Sequence, residues 1–178
     1  MRRLIAFLLL VSSIASVARA DERPNVVFVL IDDLGWTDFA CFGSDLYQTP
    51  ELDRLARDGM KFTAAYSACT VCSPSRAAFL TGKYPARLHI TDWIPGHPRP
   101  DARLAVPRWT QYLPREEVTI AEALKDAGYR TGHFGKWHLG TQKEGWPDVH
   151  GFDVNIAGCE KGQPPSYFSP YKIPTIED

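Results

Sequence analysis

A cysteine and an arginine four residues apart are the pair in this sequence best suited to covalent chemistry on an anion. Cys72 and Arg76 belong to the string Cys-Ser-Pro-Ser-Arg. Ser73 is typical of a helix N-cap, Pro74 of a first helical position and Gly82 of a left-handed exit. We therefore predict a short helix with Cys72 just outside its positive end. Arg76 then falls in the first turn, where an anionic ligand would offset its repulsion from the helix dipole.

Two adjacent carboxylates follow an apolar run and form a second candidate site. Residues 25–31 have the length and β-branched content of a strand buried on both faces. Asp32 and Asp33 come next, at the strand end where open α/β sheets bind ligands. Paired carboxylates suit a hard cation such as calcium, provided that the chain bends near Gly35 so that both reach one ion. Taken alone, the pair is more typical of a solvated turn at a strand end.

A third candidate segment, residues 135–140, has the sequence Gly-Lys-Trp-His-Leu-Gly. If it is extended, Lys136 and His138 face one side and Trp137 faces the other. A cation would then lie beside an imidazole that can act as a base near neutral pH. A lone histidine is more often structural.

These three segments together resemble the sulfatase family, within the alkaline phosphatase superfamily. Residues 72–82 match every fixed position of the sulfatase signature, C-x-P-S-R followed by x-x-x-L-T-G. Asp32 and Asp33 match the D-D-x-G pair of that family, and residues 135–140 match its G-K-W-H-L-G segment. The resemblance implies a sulfuric ester hydrolase of the arylsulfatase type.

The resemblance also implies a modified nucleophile. In sulfatases the cysteine is oxidised to formylglycine by a formylglycine-generating enzyme, and we expect the same of Cys72. The hydrated aldehyde carries two hydroxyls on one carbon. One attacks sulfur and displaces the alcohol, and deprotonation of the other then releases sulfate, which a thiol alone cannot achieve.

The remaining roles are carried over from the family position by position. Calcium is expected to polarise the sulfate group, Arg76 and Lys136 to neutralise its charge, and His138 to accept a proton. The metal ligands implied are Asp32, Asp33 and the modified Cys72. The expected substrate is a sulfated small molecule or carbohydrate.

Two other functions remain open from the sequence. A phosphate or phosphonate ester could be hydrolysed on the same scaffold, and a chain with unmodified Cys72 could bind an anion or glycan without turnover. A redox pair or zinc site at Cys69 and Cys72 is disfavoured because Cys41 and Cys159 supply no second closely spaced pair.

The amino terminus has the form of a cleavable secretory signal. Residues 1–20 combine Arg2 and Arg3, an apolar run and the small-x-small sequence that ends at Ala20. Cleavage after Ala20 would give a secreted or periplasmic chain, and no second membrane segment is present. The whole chain has a formal net charge of −1. Nothing in its basic residues, which lack interleaved aromatics, indicates nucleic-acid binding.

The elements between the motifs alternate between strands and helices. We predict a helix from Pro50 to Gly59, a strand over residues 61–66, a helix opened by a Thr119–Glu122 capping box, and an extended segment at 129–134. This order predicts an α/β fold with a mixed, mostly parallel sheet flanked by helices. The resemblance implies an alkaline-phosphatase-like three-layer sandwich.

Two proline-rich stretches complete the prediction. Residues 93–114 are expected to form a long surface excursion whose aromatic side chains pin it to the body or, less often, stack on a sugar ring. From Gly162 onward we expect no closing strand or helix. We therefore interpret residues 21–178 as the amino-terminal part of a sulfatase catalytic domain that is incomplete at its carboxyl end.

Overall fold

The computed structural model describes residues 23–97 and 99–177, without the side chain of Glu144. The predicted signal segment, residues 1–20, lies outside this range. The chain divides into two compact units, Met1–Pro50 and Glu51–Asp178. In the described residues no helix is long and apolar enough to cross a bilayer.

The apolar run in the first unit does not form the predicted strand. Residues 25–31 have no assigned secondary structure, and their large apolar side chains are exposed, from 43% at Leu30 to 86% at Val27. A strand is buried on both faces only when neighbouring strands and covering helices surround it. Regular structure among residues 23–50 is limited to the 3-10 turn Ala40–Phe42 and to Pro50, which begins a helix.

The second unit contains four α-helices among its described residues. Their bounds are α1, Pro50–Asp58; α2, Cys72–Thr81; α3, Pro85–Leu88; and α4, Ile120–Asp126. Helix α1 confirms the predicted helix from Pro50, and the Gly59 N–H donates to the Leu55 carbonyl at 2.9 Å where it ends.

Helix α4 confirms the predicted capping box. The Glu122 N–H donates to the Thr119 hydroxyl at 3.2 Å, and the Thr119 N–H donates to the Glu122 carboxylate at 2.8 Å. These bonds satisfy two of the N–H groups that a helix start leaves without partners. The chain then turns at Gly128, which has a φ of 84°.

Two parallel strands follow, β1 at Gly132–Phe134 and β2 at Val154–Ile156, in the register Gly132 to Val154. The prediction of an α/β fold with parallel pairing is confirmed. The strand predicted at residues 61–66 is wrong: this segment is irregular, and Tyr66 is 91% exposed. The alternating apolar side chains of residues 61–66 favour a strand only when a neighbouring strand packs beside them. Among the described residues, no strand pairs with this segment.

The core of the second unit draws on segments far apart in sequence. It contains side chains of α2, of the segment after β1 and of the proline-rich stretch, including Ala77, Trp137, Leu139, Ile94 and Leu113. The described residues between 93 and 114 form no helix or named strand, as predicted. The prediction that residues 93–114 lie on the surface is wrong in part, since Ile94 and Leu113 are 2% and 0% exposed. These two apolar side chains anchor the stretch in the core.

Candidate functional site

The signature helix begins one residue earlier than predicted. Cys72 is the first residue of α2, and Val71 occupies the N-cap position without a side-chain cap. Ser73 and Pro74 are therefore the second and third helical residues, which corrects their assignment as N-cap and first position. Pro74 is tolerated there because N–H groups of the first turn have no intrahelical partner. At the other end Gly82 has a φ of 67° and donates to the Ala78 carbonyl at 2.8 Å, which confirms the predicted exit.

Cys72 is a free, half-buried cysteine at the positive end of this ten-residue helix. The turn before it is held by Ser75, whose hydroxyl contacts the carbonyls of Cys69 and Val71 at 2.9 and 2.8 Å. The backbone before residue 72 is therefore held by hydrogen bonds, and the backbone after it is helical. Helix N-termini favour negative charge, so an anion beside Cys72 is stabilised by the α2 dipole.

Arg76 joins the first turn of α2 to the Gly-Lys-Trp-His-Leu-Gly segment. Its side chain is 8% exposed, and its guanidinium donates to the Lys136 carbonyl at 2.5 Å. The Lys136 side chain is half-buried. Two motifs that are 60 residues apart in the sequence therefore meet in the second unit.

Ser73 makes a second link between the same two motifs. It is fully buried, and its hydroxyl donates to the His138 carbonyl at 2.9 Å. The Ile94 N–H donates to the same hydroxyl at 3.1 Å. The hydroxyl that the sequence assigned to helix capping thus ties three segments together.

His138 does not continue an extended segment. Its φ is 61°, in the left-handed region, so the prediction that Lys136 and His138 share one side of a strand is wrong. The His138 N–H donates to the Cys159 carbonyl at 3.1 Å, and its ring Nε2 lies 2.5 Å from the Ile94 carbonyl. These tertiary bonds override the local preference for extended backbone, and the residue is 4% exposed.

Trp137 belongs to the hydrophobic core of the second unit. It is 1% exposed, and its indole N–H donates to the Gly145 carbonyl at 2.8 Å. The rings of His133 and His150 lie 5.2 and 5.6 Å from its own. Burial lowers the pKa of both histidines below 6.5, so both imidazoles are neutral at neutral pH.

Asp32 and Asp33 lie in the first unit and are both exposed. The chain bends as predicted, but at Asp33, which has a φ of 55°. Two carboxylates suit the chemistry of calcium, which takes about six to eight oxygen ligands. In the part of the chain that is described, no group of three or more His, Cys, Asp or Glu side chains is arranged to hold a metal. A calcium ion at this pair would therefore need further ligands.

Sequence reasoning missed the two residues that connect the motifs. Ser73 was assigned a local role, and Ile94 none. Ser73 lies inside the signature, so its position was visible although its partners were not. No sequence signal marks Ile94, because it takes part through its main chain.

Comparison with known proteins places these motifs in one family. The family model for sulfatases matches residues 24–173. Human steryl-sulfatase is 38% identical over 175 residues, covering 89% of this chain and 29% of the relative. Human arylsulfatase A is 44% identical over 137 residues, covering 77% and 25%. N-acetylgalactosamine-6-sulfatase of the dog is 40% identical over 173 residues, covering 92% and 30%.

Similar solved structures support the same family assignment. One, from work on the metabolism of multiple glycosaminoglycans by Bacteroides thetaiotaomicron, aligns with a TM-score of 0.63 at 36% identity, over 76% of this chain and 28% of that chain. Ps i-CgsB in complex with k-i-k-neocarrahexaose aligns with a TM-score of 0.57 at 33% identity, over 70% and 26%. The chain thus spans between a quarter and a third of the length of these relatives. With its signature helix and its Gly-Lys-Trp-His-Leu-Gly segment joined in one unit, this chain belongs to the sulfatase family.

Proposed function

We propose that this chain carries part of the active site of a sulfuric ester hydrolase that cleaves sulfate monoesters, with residue 72 as the nucleophile. The observation that supports this most strongly is the pair of hydrogen bonds from α2 to the Lys136–His138 segment, of which the Ser73 bond is buried and the Arg76 bond is partly buried. They join the first turn of α2, which contains Cys72 and Arg76, to the main chain of Lys136 and His138. Family membership supports the same reaction.

The charges of the two joined segments suit a sulfate group. The α2 N-terminus supplies positive potential at Cys72, and the same segments carry two cations, the buried Arg76 and the half-buried Lys136. Positive groups held in place before the reaction stabilise charge that develops on the sulfate oxygens. We assign Arg76 and Lys136 to neutralising that charge and His138 to accepting a proton.

Two groups complete the proposed site. Formylglycine, made from Cys72 by a formylglycine-generating enzyme, would supply a geminal diol as nucleophile, and calcium would supply polarisation of the sulfate. Asp32 and Asp33 are the proposed calcium ligands in the first unit. Their exposed carboxylates are chemically suited to that role.

The proposed substrate is a sulfated small molecule or carbohydrate. The relatives include proteins named steryl-sulfatase and N-acetylgalactosamine-6-sulfatase, and one related structure was solved with k-i-k-neocarrahexaose. These names cover both classes. We further propose a secreted or periplasmic location, on the basis of residues 1–20.

The test is turnover of an aryl sulfate against the matching aryl phosphate, with protein made in a host that forms formylglycine. We expect the sulfate to be preferred, and Cys72→Ala to lose at least about 10⁴-fold in kcat, as removal of a nucleophile does elsewhere. Cys41→Ala, which replaces a cysteine of similar exposure in the first unit, should leave kcat unchanged. A strong preference for the phosphate would replace this proposal with phosphate ester hydrolysis.

Mass spectrometry of the peptide that contains residue 72 supplies an independent measurement. We expect the aldehyde or its hydrate in place of the thiol. An intact thiol in protein from a competent host, with aryl sulfate bound but not hydrolysed, would favour a non-catalytic anion-binding chain.

A further inference from the structure

Ser73, Ile94 and His138 form a closed ring of buried hydrogen bonds. The Ile94 N–H donates to the Ser73 hydroxyl, and that hydroxyl donates to the His138 carbonyl. The Nε2 of the His138 ring forms the third hydrogen bond, to the Ile94 carbonyl. The three residues are 0%, 2% and 4% exposed. Water therefore does not compete for these bonds, and each member restrains the other two.

The direction of each bond follows from the groups involved. A carbonyl oxygen only accepts, so the Ser73 proton points at the His138 carbonyl and the Nε2 of His138 carries a proton. In the neutral imidazole only one nitrogen is protonated. The lone pair of neutral His138 is therefore on Nδ1.

The surroundings also limit how the imidazole can move. The left-handed backbone of His138, at a φ of 61°, is unfavourable for a residue with a side chain and needs such tertiary bonds to persist. Gly162 lies against the ring: a Cβ there would stand 2.6 Å from Cε1. The ring thus packs directly on main chain, which leaves little room for another rotamer.

We propose that Ser73 is a positioning residue which, with the Ile94 main chain, holds His138 in the tautomer that accepts a proton at Nδ1. This deepens the proposed function, on which it rests. On transfer, a new N–H bond forms at Nδ1, the broken O–H bond leaves its electron pair on the donor oxygen, and Nε2–H stays on the Ile94 carbonyl. Ser73 itself exchanges no proton with the substrate.

The first test reads the tautomer directly, without substrate. Nitrogen NMR of the full chain labelled with ¹⁵N-histidine, with His138 assigned by loss of its signal in His138→Gln, should show protonated Nε2 and unprotonated Nδ1 when the ring is neutral. Ser73→Ala should give a mixture of tautomers, and Ser73→Thr, which keeps a hydroxyl, should restore the single form. A wild-type ring protonated at Nδ1, or no change in Ser73→Ala, would overturn the inference.

The second test is kinetic. Ser73→Ala should lower kcat for an aryl sulfate by about 10- to 100-fold, by analogy with the loss seen when a group that orients a metal-binding histidine is removed. Each kcat is divided by the fraction of residue 72 converted to formylglycine, measured by mass spectrometry, because Ser73 adjoins the modified position. Ser73→Thr should recover most of the rate, and equal rates for Ser73→Ala and wild type would contradict the proposal.

Thr119 offers a matched control, because its buried hydroxyl also donates to a histidine carbonyl, that of His150, at 2.8 Å. Thr119→Ala should lower stability without changing the His138 tautomer or the corrected kcat. If wild-type protein does not hydrolyse the aryl sulfate, the proposed function fails. The tautomer measurements then still decide whether Ser73 positions His138.

Discussion

Two apolar stretches of this chain, one in each unit, differ in burial: one is exposed and the other is buried. Residues 26–31 carry six consecutive apolar side chains, all at least 43% exposed. Residues 137–139 carry only two apolar side chains beside a histidine, and all three are at most 4% exposed. Hydrophobicity alone therefore does not decide burial in this molecule.

The difference lies in what satisfies the main chain and the polar atoms. The Trp137 indole donates to Gly145, and the Leu139 carbonyl accepts from the Leu113 N–H at 2.8 Å. Each apolar residue in this segment thus makes a hydrogen bond outside the segment. Burial is favourable only when such polar groups find partners. Residues 26–31 have no assigned ladder with another strand in the described residues.

The largest expected effect is the loss of Trp137. Trp137→Ala should lower the free energy of unfolding by about 3–5 kcal/mol, because it removes a large buried ring and leaves a cavity. Denaturant unfolding measures the change. Trp36→Ala is the matched control in the first unit, where the ring is 79% exposed, and should change stability by less than about 0.5 kcal/mol. Equal losses of unfolding free energy in Trp137→Ala and Trp36→Ala would contradict the contrast between the two units.

A smaller loss is expected from Arg76. Arg76→Met keeps much of the side-chain volume but leaves the partly buried Lys136 carbonyl without this donor, at a cost of about 1–3 kcal/mol. Arg54→Met, which breaks an exposed ion pair with Glu51 in α1, should cost at most about 1 kcal/mol. A larger loss for Arg54 than for Arg76 in the same denaturant titration would contradict the burial argument.

A pH dependence should arise beside Trp137. Burial, the largest cause, and the charge of Arg115 lower the pKa of His150, while the charge of Glu122 opposes them. The unfolded chain therefore binds more protons below about pH 6.5, and stability falls as the pH drops from there towards the folded pKa. The slope from this residue cannot exceed about 1.4 kcal/mol per pH unit.

His150→Phe tests that dependence, because it keeps an aromatic ring beside Trp137 but cannot titrate. Thermal unfolding between pH 7 and pH 5 should show a shallower loss of stability in the variant. Some slope should remain, because burial also lowers the pKa of His133. An unchanged slope would show that His150 does not stay neutral in the folded chain.

The smallest effect is expected in the exposed run. Val27→Thr changes a side chain that is 86% exposed, and stability should change by less than about 0.5 kcal/mol. Differential scanning calorimetry of the chain can resolve that limit. A loss above about 1 kcal/mol would mean that residues 26–31 are buried in solution, and the comparison between the two units would need to be redrawn.

Much of this molecule could be predicted from sequence because its signals are local. The Thr119–Glu122 capping box, the glycine exit at Gly82 and the start of α1 at Pro50 each act within about one helical turn. The family was evident for a related reason, since its signature and its Gly-Lys-Trp-His-Leu-Gly segment are short contiguous strings. These features need no knowledge of what lies across the fold.

Only the tertiary structure decided how the motifs are used. Ser73 became a bridge to His138, 65 residues away, and His138 met Ile94, 44 residues away. The left-handed backbone of His138 and the burial of the proline-rich stretch depend on the same contacts. Each of these bonds joins a side-chain group to a main-chain carbonyl, which every residue type carries, so the sequence does not show which residue will be the partner until the chain has folded.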